Sequence, residues 1–279
     1  KENGYDGEFS TAVTMASSVQ GILIPPSHNM VIYALAAGSV SIGRLFLAGL
    51  VPGILLGVAL MIYSYYVSVK RDYPVGDKFN LKVALKATWD ALLGLGTVLI
   101  VVIGVISGVF TATESAAIAC IYAFIITFFV YREIPMSEMW NILGKSIKTL
   151  SVVMILTGTA TAFGWLVAYL QIPAIITNAI LGISQNKYII MLIINILLLL
   201  LGTSINMVSI ILILTPILLP VVTSIGIDPV HFGVIMILNL GIGLLTPPVG
   251  TVLFIGSAIS GIKIETLSKA MIPFYIVMI

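Results

Sequence analysis

Cysteine is nearly missing from this 279-residue chain, with Cys120 the single example. A lone cysteine forms no internal disulfide and no cysteine metal centre, and Cys120 reads as a small residue facing lipid or core. Charge is also scarce, at 9% of residues. So few charged side chains cannot cover the surface of a soluble domain. A net charge of +2 says nothing about nucleic acid, and no nucleic-acid partner is expected of a chain of this class. Apolar and polar residues do not alternate along the chain, which excludes an outer-membrane barrel. What is there instead is 59% hydrophobic residues and a mean hydropathy of +1.17. Apolar runs of about 18 residues or more define an all-α polytopic membrane protein embedded in a lipid bilayer.

One apolar run is interrupted. Gly241 to Gly250 reads Gly-Ile-Gly-Leu-Leu-Thr-Pro-Pro-Val-Gly. Two successive prolines remove two backbone donors, so a helix starting near Val230 is predicted to stop near Leu245 and restart after Pro248. Unwound backbone inside a bilayer persists only where protein, water or a bound ion satisfies it. Gly21 to Ser27 repeats the device as Gly-Ile-Leu-Ile-Pro-Pro-Ser, 222 residues earlier. At that offset Gly4 pairs with Gly226, Asp6 with Asp228, Gly21 with Gly243, and Pro25-Pro26 with Pro247-Pro248. Paired interrupted helices in two halves point to the binding site of a secondary transporter.

The charges set a sidedness. Lys70 to Lys86 carries Lys70, Arg71, Lys78, Lys82 and Lys86 against Asp72 and Asp77, and is assigned to the cytoplasm. Walking the spans from there puts eleven of the thirteen basic residues inside, with Arg44 and Lys187 outside. The first broken helix then runs outward and the second inward, an inverted repeat. Tyr188–Leu201 and Met207–Val222 read as the arms of a re-entrant hairpin, each short for a full crossing, around the turn Gly202 to Asn206. The expected division is 1–39 as the first broken helix of a transport domain and 40–172 as scaffold-type spans with a cytoplasmic loop. It continues with 173–262 as hairpin plus second broken helix, and 263–279 as the start of a last helix. A matching hairpin is expected just upstream of Lys1, and the chain reads as a piece of a longer polypeptide.

Each break ends one half-helix in free carbonyls, suited to a cation such as Na⁺, and restarts another in free N–H groups, suited to an anion. The polar groups at hand are Ser17, Ser18, Gln20, Ser27, His28 and Asn29 in the first copy, and Asn239, Thr246 and Thr251 in the second. The hairpin turn adds Thr203, Ser204 and Asn206. The competing reading is a plain proline kink between packed helices, which two symmetric breaks make less attractive. Glu114 reads first as a helix-start residue with Thr111 or Thr113 as cap, and second as an ion ligand. His28 reads either as a substrate or pH-sensing group or as an ordinary helix-start residue. No catalytic dyad stands at helical spacing, so the chain is not expected to be an enzyme.

These residues resemble the large membrane subunit of tripartite ATP-independent periplasmic transporters. The likeness lies in Gly4-Tyr5-Asp6, Gly21 to Ser27, Val40 to Gly49, Thr111 to Ala117, Ile213 to Pro220, Gly226 to Gly233 and Gly243 to Gly250. The resemblance implies an elevator-type, Na⁺-driven importer in the bacterial inner membrane, serving a small organic anion. It implies two partners, a periplasmic substrate-binding protein and a small membrane subunit, separate or fused upstream. By position, one Na⁺ is implied at Gly202, Thr203 and Asn206 with Gly243, Thr246 and Gly250, and a second at Ser18 and Gly21. Substrate contacts are implied at Ser17, Ser27, His28 and Asn206. The family often has an acidic residue where Asn206 stands, and His28-Asn29 looks more like the sialic-acid branch than the dicarboxylate branch. The competing functions are a stand-alone Na⁺/carboxylate transporter of the same superfamily and an anion channel.

Overall fold

The computed structural model describes residues 4–74, 80–132 and 134–279. Lys1, Asp77 and Lys78 of the charge count lie outside the described residues. Every regular element among those described is helical. Four helices are long and apolar enough to cross a membrane, or up to six if each bent pair is one span. The chain is therefore a multi-pass α-helical membrane protein.

The helices form two compact units, one of residues up to 75 with 160–279 and one of 76–159. The first holds both broken helices. Helix α1 (Gly7–Leu23) leads through the first break to α2 (His28–Ala37), and α3 (Ile42–Lys70) follows. After α7 (Ile172–Ile183) come the hairpin arms α8 (Lys187–Gly202) and α9 (Met207–Ser224), then α10 (Pro229–Gly243), the second break, α11 (Thr251–Ser260) and α12 (Ile264–Met278). The second unit is built on α4 (Leu81–Ile106) and α5 (Ala112–Ile125), and α6 (Met139–Tyr169) runs through the division.

Within the first unit the two broken helices lie antiparallel, as three contacts along them show. Tyr33 of α2 packs on Phe232 and donates its hydroxyl to the Pro229 carbonyl at 2.7 Å. Val19 near the end of α1 meets Gly241 near the end of α10, and Met15 meets Gly256 of α11. As one chain number rises the other falls at the first and second contact, and the third continues the crossing along α1 toward its start. The breaks therefore lie side by side at mid-height. The inverted repeat read from the residues is a physical juxtaposition of the two Pro-Pro sites.

Helix α3 packs inside this unit against α1, α10 and α12. Close approach is allowed by glycine: a Cβ at Gly53 would meet the Ile24 side chain, and one at Gly57 the Gln20 amide. At the far end of α3, Arg71 and Tyr73 both donate to the Asp6 carboxylate, at 2.7 and 2.6 Å. That contact fastens the start of α1 to the end of α3. Helix α9, at 18 residues, reaches the length of a membrane crossing, because it runs on through Pro216 and Pro220 to Ser224. Its partner α8, at 16 residues, does not.

In the second unit Glu114 is the third residue of a capping box: Thr111 Oγ1 accepts from the Glu114 N–H while Glu114 Oε2 accepts from the Thr111 N–H. Both lone helix-start groups are satisfied reciprocally, which supports the capping reading over a ligand role. Gly104 lets α4 approach Ser115 of α5, and Gly96 lets it approach Tyr122, whose hydroxyl donates to the Leu93 carbonyl. Cys120 is exposed.

Candidate functional site

The second break is assembled from three directions. Pro247 and Pro248 deny the Gly243 and Leu244 carbonyls their usual donors four residues on. Thr246 N–H fills the first at 2.9 Å and Val252 N–H the second at 3.1 Å. The Leu245 carbonyl accepts from the Tyr275 hydroxyl of α12 at 2.6 Å. Gly250, left-handed at φ +50°, donates its N–H to the Thr203 carbonyl at 2.9 Å. That last bond ties the hairpin turn to the break.

Glycine makes the contact possible. A Cβ on Gly243 would lie 2.7 Å from the Gly202 Cα and 2.8 Å from its carbonyl carbon. A Cβ on Gly250 would stand 2.9 Å from the Thr246 carbonyl oxygen and 3.3 Å from that of Leu244. Two backbones thus meet with nothing between them. Of the six residues that the family resemblance groups, Gly202 lies against Gly243, and Gly250 reaches both the Thr203 and the Thr246 carbonyl, while Asn206 follows in the turn.

Direction along the helices shows that the two arms run antiparallel beside α10. Gly202 at the end of α8 lies on Gly243 at the end of α10, and Asn195 seven residues earlier bonds Asn239. Thr215 of α9 reaches Met236 of α10. Arm α8 therefore runs with α10 and α9 against it, so the turn sits at the break and both open ends lie toward Pro229. The Asn239 amide donates to Asn195 Oδ1 and to the Ile235 carbonyl, both at 2.9 Å. This amide pair pins the hairpin arm to α10 between otherwise apolar faces. Asn195 was not singled out from the sequence, although an asparagine inside Ile-Ile-Asn-Ile-Leu was a legible signal.

Asn206 caps α9, its Oδ1 accepting from the Val208 N–H at 2.9 Å. One lone-pair direction of that oxygen is thereby taken. Thr246 Oγ1 donates to the Ile242 carbonyl at 2.8 Å and Thr203 Oγ1 to the Leu200 carbonyl at 2.8 Å, which leaves both hydroxyl oxygens able to accept or coordinate. Helix α11 starts at Gly250 with no side-chain cap.

The first break carries the same backbone with fewer partners. The Ile22 carbonyl loses its donor to Pro26 and accepts instead from the Ser27 hydroxyl. Ser27 is 3% exposed and also caps α2 by accepting from the Met30 N–H. Its hydroxyl is a structural staple at this break. Gly21, the counterpart of Gly243, has nothing within 4 Å of the place a Cβ would take. Ser17, Ser18 and His28 are exposed. Ser17 and Ser18 donate to the Thr14 and Met15 carbonyls of their own helix. The Gln20 amide packs on α3 at Gly57. A groove of about 500 Å³ runs between α1 and α11, lined by the hydroxyls of Ser10, Thr14, Ser18 and Ser260 among others.

The oxygens gathered at the second break are neutral carbonyls and hydroxyls. No group of three or more His, Cys, Asp or Glu able to hold a metal exists among the described residues. Neutral oxygens fit a hard monovalent cation, since no carboxylate is present to neutralise a divalent one.

A helical hairpin seated on a broken helix, beside a second broken helix of opposite direction, is the arrangement of a membrane transport subunit of the inverted-repeat class. The family model for the DctM component of the tripartite ATP-independent periplasmic transporter matches residues 1–279. The chain belongs to this family. It is 41% identical over 272 residues to the sialic acid TRAP transporter large permease protein SiaM of Vibrio cholerae, covering 98% of this chain and 64% of that one. It is 44% identical over 280 residues to the isethionate TRAP transporter permease protein DctMQ of Oleidesulfovibrio alaskensis, covering 100% and 44% respectively. It is 38% identical over 277 residues to the C4-dicarboxylate TRAP transporter large permease protein DctM of Pseudomonas aeruginosa, covering 99% and 65%. The chain thus spans under two thirds of the length of these relatives. As a multi-pass member of this family it is a protein of the bacterial inner membrane.

Proposed function

We propose that the complete protein is a Na⁺-coupled importer of a small organic anion delivered by a periplasmic binding protein. The observation that carries this reading is the seating of the hairpin turn on the second break, with Gly250 N–H on the Thr203 carbonyl and Gly202 against Gly243. Such a contact gathers carbonyls and hydroxyls from two elements that a bound cation would cross-link. Na⁺ at Gly202, Thr203, Asn206, Gly243, Thr246 and Gly250 would hold the hairpin shut, so ion binding and closure become one event. The relatives named above carry sialic acid, isethionate or C4-dicarboxylates in their names, which are all small organic anions and support that substrate class. Ser17, Ser27, His28 and Asn206 are proposed to meet the substrate. For Ser27 this would have to come through the lone pair left after its two structural bonds.

A second Na⁺ is proposed at Ser18 and Gly21. The supporting observation is internal symmetry: α8 and α9 cover α10 and α2, and the symmetry-related pair is α1 and α11. The groove between α1 and α11 is open, and a second hairpin from elsewhere in the longer protein is proposed to fill it. The two hairpins with their broken helices would slide as one body past a fixed scaffold, an elevator mechanism, alongside a small membrane subunit. An orientation with Arg71 and Asp6 toward the cytoplasm agrees with their pairing at one end of the first unit.

Uptake by the complete protein in proteoliposomes tests this, with and without a Na⁺ gradient and with and without its binding protein, using sialic acid and succinate. Uptake that requires both is the expected result. A need for Na⁺ alone would move the protein to the stand-alone transporters, and saturable uptake needing neither would remove the Na⁺ assignments. Flux that does not saturate would instead favour a channel.

A further inference from the structure

A second groove in the first unit has no part in the hairpin and its breaks. It lies between α3 and α10, encloses about 750 Å³, and is lined by Arg44, Val51 and Leu55 on one side and Asp228, Val234 and Leu238 on the other, among others. The two helices run the same way here, since Arg44 and Asp228 open them and Leu55 and Leu238 lie deeper. From Arg44 to Leu55 the helix rises about 16 Å at 1.5 Å per residue. One leaflet of a hydrocarbon core is about 15 Å, half of the ~30 Å total. The groove is one leaflet deep.

Its polar groups are gathered at one end. Arg44 lies in the first turn of α3, Asp228 caps α10, and His231 follows within the first turn of α10. The one salt bridge among the described residues joins Arg71 to Asp6, so the Arg44 guanidinium has no carboxylate partner. Asp228 Oδ1 accepts from the Val230 and His231 N–H groups, and its second oxygen remains for another donor. Below this mouth Val51, Leu55, Val234, Ile235 and Leu238 form an apolar wall. A guanidinium fits a phosphodiester, and a carboxylate beside it fits an ammonium. A head group bearing both, above an acyl chain one leaflet long, is that of a zwitterionic phospholipid. An anionic phospholipid would leave Asp228 facing like charge.

We propose that the groove between α3 and α10 binds one molecule of phosphatidylethanolamine, its phosphate on Arg44, its ammonium on Asp228 and one acyl chain along Val51, Leu55, Val234 and Leu238. The complete protein, released gently from detergent, is examined by native mass spectrometry after addition of palmitoyl-oleoyl phosphatidylethanolamine or phosphatidylglycerol. One retained phosphatidylethanolamine is expected. Its affinity should fall about tenfold in Arg44→Gln, the loss of one charge-assisted contact. Retention should vanish in Ala48→Trp, which fills the groove, with the melting temperature of Arg44→Gln held at that of the wild type. Equal retention in wild type and Arg44→Gln would overturn the proposal by showing annular lipid only. Equal retention of phosphatidylglycerol would overturn the head-group assignment. A photo-crosslinker at Leu55 should capture lipid, and capture of a protein subunit there would make the groove a protein interface instead.

Discussion

The two Pro-Pro breaks have matching residues and opposite surroundings. Both follow a glycine by four residues, both lose two carbonyl donors, and both Pro-Pro bonds are cis. At the second, hairpin, α11 and α12 all contribute hydrogen bonds, and Gly243 lies against Gly202. At the first, Ser27 alone repairs the Ile22 carbonyl and Gly21 faces open space. The comparison teaches that a proline break is only a set of unsatisfied groups, and that the neighbours decide whether it becomes a built site. It also separates the two glycines paired by the repeat: Gly243 is required by the Gly202 backbone it touches, whereas a Cβ at Gly21 would meet nothing within 4 Å.

The largest effect is expected at Gly243. Gly243→Ala sets a Cβ against the Gly202 backbone, where no side chain can swing away, and should destabilise the protein by about 1–3 kcal/mol. Uptake should fall by at least about tenfold, because about 1.4 kcal/mol at the closed hairpin already accounts for that factor. Gly21→Ala sharpens the comparison. In the complete protein it should approach the effect of Gly243→Ala if a second hairpin fills the groove between α1 and α11, and unchanged uptake would break the symmetry argument.

Next comes Ser27→Ala, which strips a buried cap and leaves the Ile22 carbonyl unpaired. A loss of about 1–3 kcal/mol is expected in thermal or denaturant unfolding. Thr246→Ala should cost less stability, since the Ile242 carbonyl keeps the Leu245 N–H at 3.0 Å. It should nevertheless raise the Na⁺ concentration giving half-maximal uptake. The reverse ranking in stability, or an unmoved Na⁺ dependence, would contradict the roles given to these two hydroxyls.

The Asn195 and Asn239 pair tests whether the hairpin is pinned as well as seated. A double-mutant cycle with leucine at each position should show coupling of about 0.6 kcal/mol, the average for hydrogen bonds between membrane helices, and at most about 1.7 kcal/mol. Additive losses would mean that α8 is held by apolar packing alone.

The smallest effect belongs to Asp6. The Tyr73 hydroxyl, then the Arg71 guanidinium, hold its carboxyl below the usual value of 3.8. A depressed carboxyl contributes stability above the unfolded value, and that contribution is lost as pH falls through the lowered one. The melting temperature of Asp6→Asn should therefore lie slightly below wild type at pH 6 and converge with it below 3.8. The site is exposed at the membrane end of α3, so solvent screening keeps the difference small.

By itself the sequence determined the membrane class, the positions of both breaks, the hairpin turn and the inverted pairing, because prolines, glycines and apolar runs act locally on the backbone. Gly202 to Asn206 stood out as turn residues between short apolar arms, and Thr111 to Glu114 as a helix start. Only the tertiary structure decided what each polar group does. The Ser27 hydroxyl staples the first break at the Ile22 carbonyl, Gln20 faces α3, and Asn195 finds Asn239 44 residues away. Contacts between distant segments depend on which helix faces meet. A one-dimensional pattern carries the face but not its partner, and at the two breaks the partner is the whole difference.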